Sequence, residues 1–273
     1  MIYFTVSDIH SFYYPFRKAL DEAGFDPQNE SHCLIVAGDL FDRGDDTVTL
    51  YDYVDSLPRK ILIRGNHEDL LEEMVERGEP WDMDDHNGTL KTVLNFNGFE
   101  MWEYWLGEID FPKNTRKTRQ LVKWIDDNFV DYAEFSKYVV VHSWLPCKYV
   151  CSKEIYEAGH YVTDPNWRKA GEKKWKDSRW GNPFNCMGMS VPKGKRIIAG
   201  HWHSSYAWHM ANGTPEFGEG ANYGIWTGSK LVMIDACTAA SGKCNVFVFE
   251  DDRPANLGST RKQRIKKSKE KKI

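Results

Sequence analysis

The first seventy residues alternate short apolar runs with stretches of helical period. "MIYFTVSDI", "CLIVAGDL" and "KILIRGN" gather β-branched and apolar residues in runs of strand length, whereas "FYYPFRKALDEAGF" and "TVTLYDYVDSL" carry helical patterns. That rhythm predicts βαβαβ and a parallel sheet. Ligands of parallel sheets collect beyond the carboxyl ends of the strands, so "SDIH", "GDLFDRG" and "RGNHE" are expected to meet at one edge.

Further along, "EDLLEEMVERG" reads as a helix from Glu68 closed by Gly78. Residues 79–117, rich in Trp, Asn, Gly and Asp, lack a firm period and are read as a cap or lid. A helix is expected from Arg119 to Phe129, with Leu121, Ile125 and Phe129 four apart, and "KYVVVHSWL" is a buried strand ending in a histidine. Residues 146–195 form an irregular excursion beside the site. Strand signals return in "RIIAGHWHS", "KLVMIDACT" and "CNVFVFE". The last two, split by "AASGK", predict an antiparallel hairpin and give the second half an α+β character.

A chain of 273 residues that is 41% hydrophobic has material for a substantial core, and we expect one globular domain over residues 1–260. Its start lacks the basic segment and small-residue cleavage site of a secretion signal, and no run of 18 apolar residues occurs. The expectation is a soluble, cytoplasmic protein with no membrane partner. Six cysteines without a C-x-x-C spacing argue against a zinc ribbon or a disulfide scaffold, and Cys147 and Cys151 are read as reduced thiols. The net charge of -4 is uneven: residues 261–273 carry +7, leaving -11 on the rest. This basic end is read as a solvated, disordered tail, with nucleic acid, an anionic surface or an import receptor as weaker readings.

Five strand ends carry residues able to ligate metals: Asp8 and His10, Asp39 and Asp42, Asn66 and His67, His142, then His201 and His203. Singly, each has an ordinary explanation as a cap, a turn residue or a core histidine. Jointly they need a common cause, and two cations roughly 3.5 to 4 Å apart sharing one carboxylate would supply it. Mixed nitrogen and oxygen donors suit Mn, Fe, Co or Zn better than Mg or Ca. The cofactor expected is therefore a pair of divalent or trivalent ions, Mn first, or Fe or Zn. Asp45 and Asp46 are read as capping the next helix.

"SDIH", "GDLFDRG", "RGNHE", "VHS" and "GHWH", in this order, resemble the calcineurin-like metallophosphoesterase superfamily. Within it, "GDLFDRG" and "RGNHE" resemble the phosphoprotein phosphatases, their bacterial and phage branch, and the related symmetrical dinucleoside tetraphosphate hydrolases. The resemblance implies a four-layer αββα sandwich of two mixed sheets flanked by helices. It implies Asp8, His10 and Asp39 on one metal, with Asp39 bridging to a second held by Asn66, His142 and His201. By the same resemblance Asp42 polarises His67, the general acid, while Arg43 and Arg64 clamp phosphate oxygens. The implied reaction is in-line attack by a hydroxide shared between the metals, without a phosphoenzyme.

Two positions depart from the pattern "GDxHG": Ser7 and Ser11 replace its glycines. "GHWH" adds His203, which ligates the first metal in wider metallophosphoesterases but is usually absent from phosphoprotein phosphatases. A further phosphate-binding arginine is assigned to Arg179 in "DSRWGNPF", with Arg168 a poorer candidate. Trp144, Trp180 and Trp202 are candidates to wall a pocket or stack a nucleobase. The substrate expected is a phosphoserine or phosphothreonine monoester on a protein, or a small phosphoester. The alternatives are a dinucleoside tetraphosphate or a cyclic nucleotide, with a non-catalytic scaffold or a nucleic-acid binder acting through the tail as readings from other classes.

Overall fold

A computed structural model describes residues 1–150 and 160–270. The βαβαβ start forms as expected: β1 (Ile2–Val6), β2 (His32–Ala37) and β3 (Lys60–Ile63) are parallel, with helices Tyr13–Glu22 and Thr47–Ser56 between them. A short β4 (Phe129–Val130) extends the sheet in parallel. Next come β5 (Ala133–Glu134), β6 (Tyr138–Val140), an antiparallel pair β7 (Cys147–Val150) and β8 (His160–Thr163), then β9 (Arg196–Ala199). The chain ends through β10 (Trp226–Thr227), β11 (Leu231–Met233), β12 (Phe247–Glu250) and β13 (Asn256–Leu257). One sheet runs β12-β1-β2-β3-β4 and the other β10-β11-β9-β6-β5-β13.

Strand alternation builds the layers. In register, Tyr3, Cys33, Ile35, Ala37 and Ile63 point to one face of the first sheet and meet Val140, Ile198 and Val232 of the second. The intervening residues Phe4, Val6, Leu34, Val36 and Leu62 face outward against helices through Phe16, Leu50 and Leu71. On the second sheet, Val139, Ile197 and Leu231 face outward against Trp144, Trp167 and Trp175. Both faces of each sheet are therefore covered, which is why these strands read as near-continuous apolar runs. The result is two mixed sheets packed face to face between helices, the αββα sandwich.

Three expectations are corrected. "KLVMIDACT" and "CNVFVFE" do not form a hairpin: β11 runs parallel to β9, while β12 pairs antiparallel with β1 in the other sheet. The link between them holds a short helix, Thr238–Ser241, entered through Cys237 at φ 50. Second, residues 79–117 are not simply a lid. The helix Thr89–Asn97 buries Leu90, Val93, Leu94 and Phe96 in the first core. Third, the basic end is helical from Arg261 to Glu270, because Arg261, Lys262 and Arg264 pair with acids of the body.

The five described cysteines are free, and burial pushes the Cys33 and Cys147 thiols up to about 11. Cys151 lies outside the described residues. Among those described, no helix is long and apolar enough to cross a membrane.

Candidate metal centre

The loops after β1, β2 and β3 deliver Asp8, His10, Asp39, Asp42, Asn66 and His67, and those after β6, β9 and β11 deliver His142, His201 and Asp235. They meet at the common edge of the two sheets around a cavity of about 300 Å³. The lining includes Asp8, His10, Asp39, Arg43, Asn66, His67, His201 and Asp235. Backbone strain is concentrated here. The eight described non-glycine residues with positive φ are Asp8, His10, Ser11, Asp39, Asp42, Arg43, His201 and Cys237, all in these loops. A left-handed L-residue costs on the order of 1 kcal/mol, so the surrounding contacts must fix these conformations.

Those contacts are visible. The loops after β1 and β2 run on together, with the amides of Asp8, His10 and Ser11 donating to the carbonyls of Gly38, Asp39 and Leu40 at 3.1, 3.1 and 2.9 Å. Glu68 accepts from the amides of Asp39, Leu40 and Gly65 at 3.1, 2.9 and 2.7 Å, clamping the β2 loop to the start of the helix Asn66–Arg77. Any side chain at Gly65 would strike Asp39 Oδ1, 2.1 Å from its Cβ, and one at Gly200 would strike Asp8 Oδ2, also 2.1 Å away. The serines that replace the motif glycines are accommodated: Ser11 Oγ lies 3.1 Å from Thr47 Oγ1, and Ser7 is buried next to Gly200.

The imidazoles are aimed by their second nitrogens. His10 Nδ1 donates to the Phe41 carbonyl at 3.0 Å and His142 Nδ1 to that of Ala37 at 2.9 Å, so each presents the lone pair of Nε2 to the cavity. Burial holds His10 and His142 below the ordinary histidine range, and burial with the neighbouring His142 lowers His201 to about 3. Neutral imidazole is the ligating form. Asp39 is central: Oδ1 is 3.4 Å from His142 Nε2, and Oδ2 is 3.8 Å from Nε2 of both His10 and His67. Burial alone would raise its pKa, but His142, His67, His10 and His201 hold it well below the carboxylate range.

These residues fit a pair of cations. Ligand atoms of His10, Asp39 and His67 lie within 4.8 Å of one another, and so do those of Asp39, His142 and His201. His142 Nε2 and Asn66 Oδ1, both lone-pair donors in this arrangement, face each other at 2.7 Å. A cation coordinated by both removes that repulsion. No lysine or arginine among the described residues pairs with Asp8 or Asp39, and mixed N/O donors suit transition ions.

His67 and Asp42 form a separate unit. His67 Nδ1 donates to Asp42 Oδ2 at 2.7 Å, and the hydroxyls of Thr89 and Thr92 donate to Asp42 Oδ2 and Oδ1, each at 2.7 Å. Burial lowers the His67 pKa, but Asp39 and the bond to Asp42 outweigh it and raise it above the ordinary value.

Other assigned residues lie elsewhere. His203 lines the cavity, yet Nδ1 accepts from the Tyr206 amide at 3.2 Å, capping the helix Ser204–Asn212, and Nε2 faces Glu216 at 3.3 Å; like Asp8, it stands outside both groups of mutually close ligand atoms, but its ring is already engaged on both sides. Arg64 and Arg179 are buried and point away from the cavity. Arg64 Nε is 2.7 Å from Asp69 Oδ1, and Arg179 bridges Asp69 and Asp131 at 2.6 Å each. Three buried acids, Asp69, Glu72 and Asp131, face their guanidinium groups, so neither lines the cavity. Arg168 pairs with Glu134 at 2.6 Å. Arg43 is the arginine in the cavity lining. Asp46 occupies the helix N-cap without a side-chain cap bond, and Asp45 pairs with Lys91 at 2.5 Å. Trp180 and Trp202 line the cavity, whereas Trp144 is core.

Sequence reading did not single out Glu68, Thr89, Thr92, Met83, Asn87, Asp235 or Cys237. Glu68 alone carried a signal, as the last residue of "GNHE".

A sandwich of this layering with histidines and carboxylates at the shared strand ends defines a metallophosphoesterase. Its family follows from comparison: a model described as calcineurin-like phosphoesterase matches residues 3–205, and the chain belongs to that family. A symmetrical bis(5'-nucleosyl)-tetraphosphatase of Legionella pneumophila strain Lens is 32% identical over 104 residues, covering 38% of this chain and 36% of that protein. Its counterpart in strain Corby is 31% identical with the same coverage. The chain thus spans about a third of the length of these relatives. A crystal structure described as a candidate diadenosine tetraphosphatase covers 94% of both chains at a TM-score of 0.50 and 14% identity, a likeness of fold.

Proposed function

We propose that the protein is a dinuclear metal-dependent phosphoester hydrolase whose substrate is a dinucleoside polyphosphate. The class rests on one observation: Asp39 turns one oxygen toward His142 and the other toward His10 and His67. Asp8, His10 and Asp39 would hold one ion, and Asp39, Asn66, His142 and His201 the other. When bound, the ions supply Lewis acidity toward phosphoryl oxygens and lower the pKa of water.

The chain's own groups do the rest. Arg43 lies in the lining, where its guanidinium can donate bidentately to a phosphate. His67, kept charged by Asp42 and Asp39, has Nε2 turned to the cavity and can protonate the departing oxygen.

"GDLFDRG" with "RGNHE" alone favours a phosphoserine or phosphothreonine monoester. Two observations move the reading to a nucleotide. Trp180, 50% exposed, stands edge-on to His201 with centroids 5.9 Å apart, and with Trp202 and Met83 it offers apolar surface on which a base can stack. The Legionella relatives are named as symmetrical tetraphosphatases. The test is hydrolysis by metal-stripped protein with added Mn, offered diadenosine tetraphosphate, p-nitrophenyl phosphate and phosphopeptides. Cleavage of the tetraphosphate is expected to be fastest. Turnover of phosphopeptides alone overturns the substrate, and turnover of none overturns the class.

A further inference from the structure

The helix Arg261–Glu270 has one apolar residue, Ile265, in its ten. Its described contacts with the body are made by its charges and by its start. Thr260 bridges Val130 of β4, its Oγ1 accepts from the Gln263 amide at 3.2 Å, and Gln263 Oε1 accepts from the Thr260 amide at 3.1 Å. Arg261 pairs with Glu72 through Nη1, and its Nη2 and Nε lie 2.7 and 3.3 Å from Glu76 and Glu172. Arg264 pairs with Asp131.

Two of these acids have a second arginine each. Glu72 also pairs with Arg64, and Asp131 with Arg179. Asp69 then joins those two, with Oδ1 on Arg64 and Oδ2 on Arg179. The circuit reaches the site at two places along the chain. Arg64 precedes Asn66 by two residues, Asp69 lies on the first turn of the helix begun by Asn66 and His67, and Arg179 is the neighbour of Trp180.

We propose that Arg261 and Arg264 are positioning residues for the catalytic site, acting through Arg64, Asp69 and Arg179 to hold Asn66, His67 and the Trp180 wall in place. This rests on the phosphoester hydrolase reading, and the first readout is chosen to be independent of turnover. A buried carboxylate shared between two guanidinium groups is oriented by both, so removing the outer one leaves Glu72 and Asp131 held from one side and loosens the network that carries Arg64 and Arg179.

In the full chain, Arg261→Gln with Arg264→Gln is compared with wild type and with Arg264→Lys. Calorimetric titration of metal-stripped protein with Mn alone is expected to show affinity lowered about tenfold in the double variant, the low end for groups that orient metal ligands. Its kcat should fall while far-UV circular dichroism changes by no more than the helical signal of residues 261–270, and Arg264→Lys should retain most of the wild-type affinity and kcat. A double variant with a lower melting temperature but wild-type Mn affinity and kcat overturns the proposal. If the double variant does not fold, Arg261→Gln alone decides: reduced Mn affinity supports the proposal and unchanged affinity overturns it. Absence of hydrolysis in wild type, with Mn affinity still sensitive to these residues, would count against the hydrolase reading and leave the positioning role standing.

Discussion

Two polar islands lie inside this molecule, and they solve the same electrostatic problem in opposite ways. Around Asp69, Glu72 and Asp131 the carboxylates are met by Arg64, Arg179, Arg261 and Arg264, cations the chain itself supplies. Around Asp39 stand the imidazoles of His10 and His142, held neutral by burial, with the Asn66 amide oxygen beside His142, and no lysine or arginine among the described residues pairs with Asp39 or Asp8. Buried anions require compensation. The first island meets its acids with cations of the protein; the donor set of the second is complementary to cations from outside. A cluster of acids is therefore informative only once the charges facing it are known.

The sharpest way to break the comparison is at Arg64, 2% exposed and facing three acids. Arg64→Met should cost about 3 to 5 kcal/mol of stability by leaving carboxylates uncompensated, measured by urea denaturation. The folded fraction should keep most of its catalysis, with kcat and Mn affinity lowered only about tenfold, as for a group that orients metal ligands. A loss of activity with no loss of stability would instead favour a phosphate clamp. His67→Gln reverses that pattern. Stability should fall less than for Arg64→Met, because Gln and the hydroxyls of Thr89 and Thr92 can still donate to Asp42, while kcat falls roughly 10²- to 10³-fold, as for loss of a general acid. An unchanged kcat would remove His67 from proton transfer. Trp180→Ala is the mildest. It should raise KM for diadenosine tetraphosphate roughly tenfold, within what base stacking on an aromatic supplies, and leave p-nitrophenyl phosphate unaffected. Equal effects on both would mean the ring packs against His201 and does not bind a base.

The legibility of this fold and site from sequence followed locality. β1, β2 and β3 were readable because each runs through a sheet covered on both sides, and the residues closing them inherit a shared edge from the parallel arrangement. Hence Asp8, His10, Asp39, Asn66, His67, His142 and His201 could be picked as one group, and the structure brings them together. Partner choice was not readable. "KLVMIDACT" and "CNVFVFE" have the pattern of a hairpin, but periodicity does not say which sheet a strand joins, and each found a parallel or antiparallel neighbour far away in sequence. The same limit explains Arg64 and Arg179. Their motifs mark them as arginines near a phosphate site, yet the acids that hold them come from residues 69, 72 and 131. The apolar stripe of Leu90, Val93 and Leu94 was obscured by glycines at both helix ends, Gly88 and Gly98. Asp235 and Cys237 reach the cavity through a crossover between sheets that no local pattern announces.

The central claim is that Asp39 is shared between two bound ions, and metal counting on wild type and Asp39→Asn tests it most directly. Reconstituted wild type should hold two Mn per chain by elemental analysis, and Asp39→Asn should hold fewer, with phosphoester hydrolysis lost. Two ions and full turnover in Asp39→Asn, or no bound ion in wild type, would contradict it.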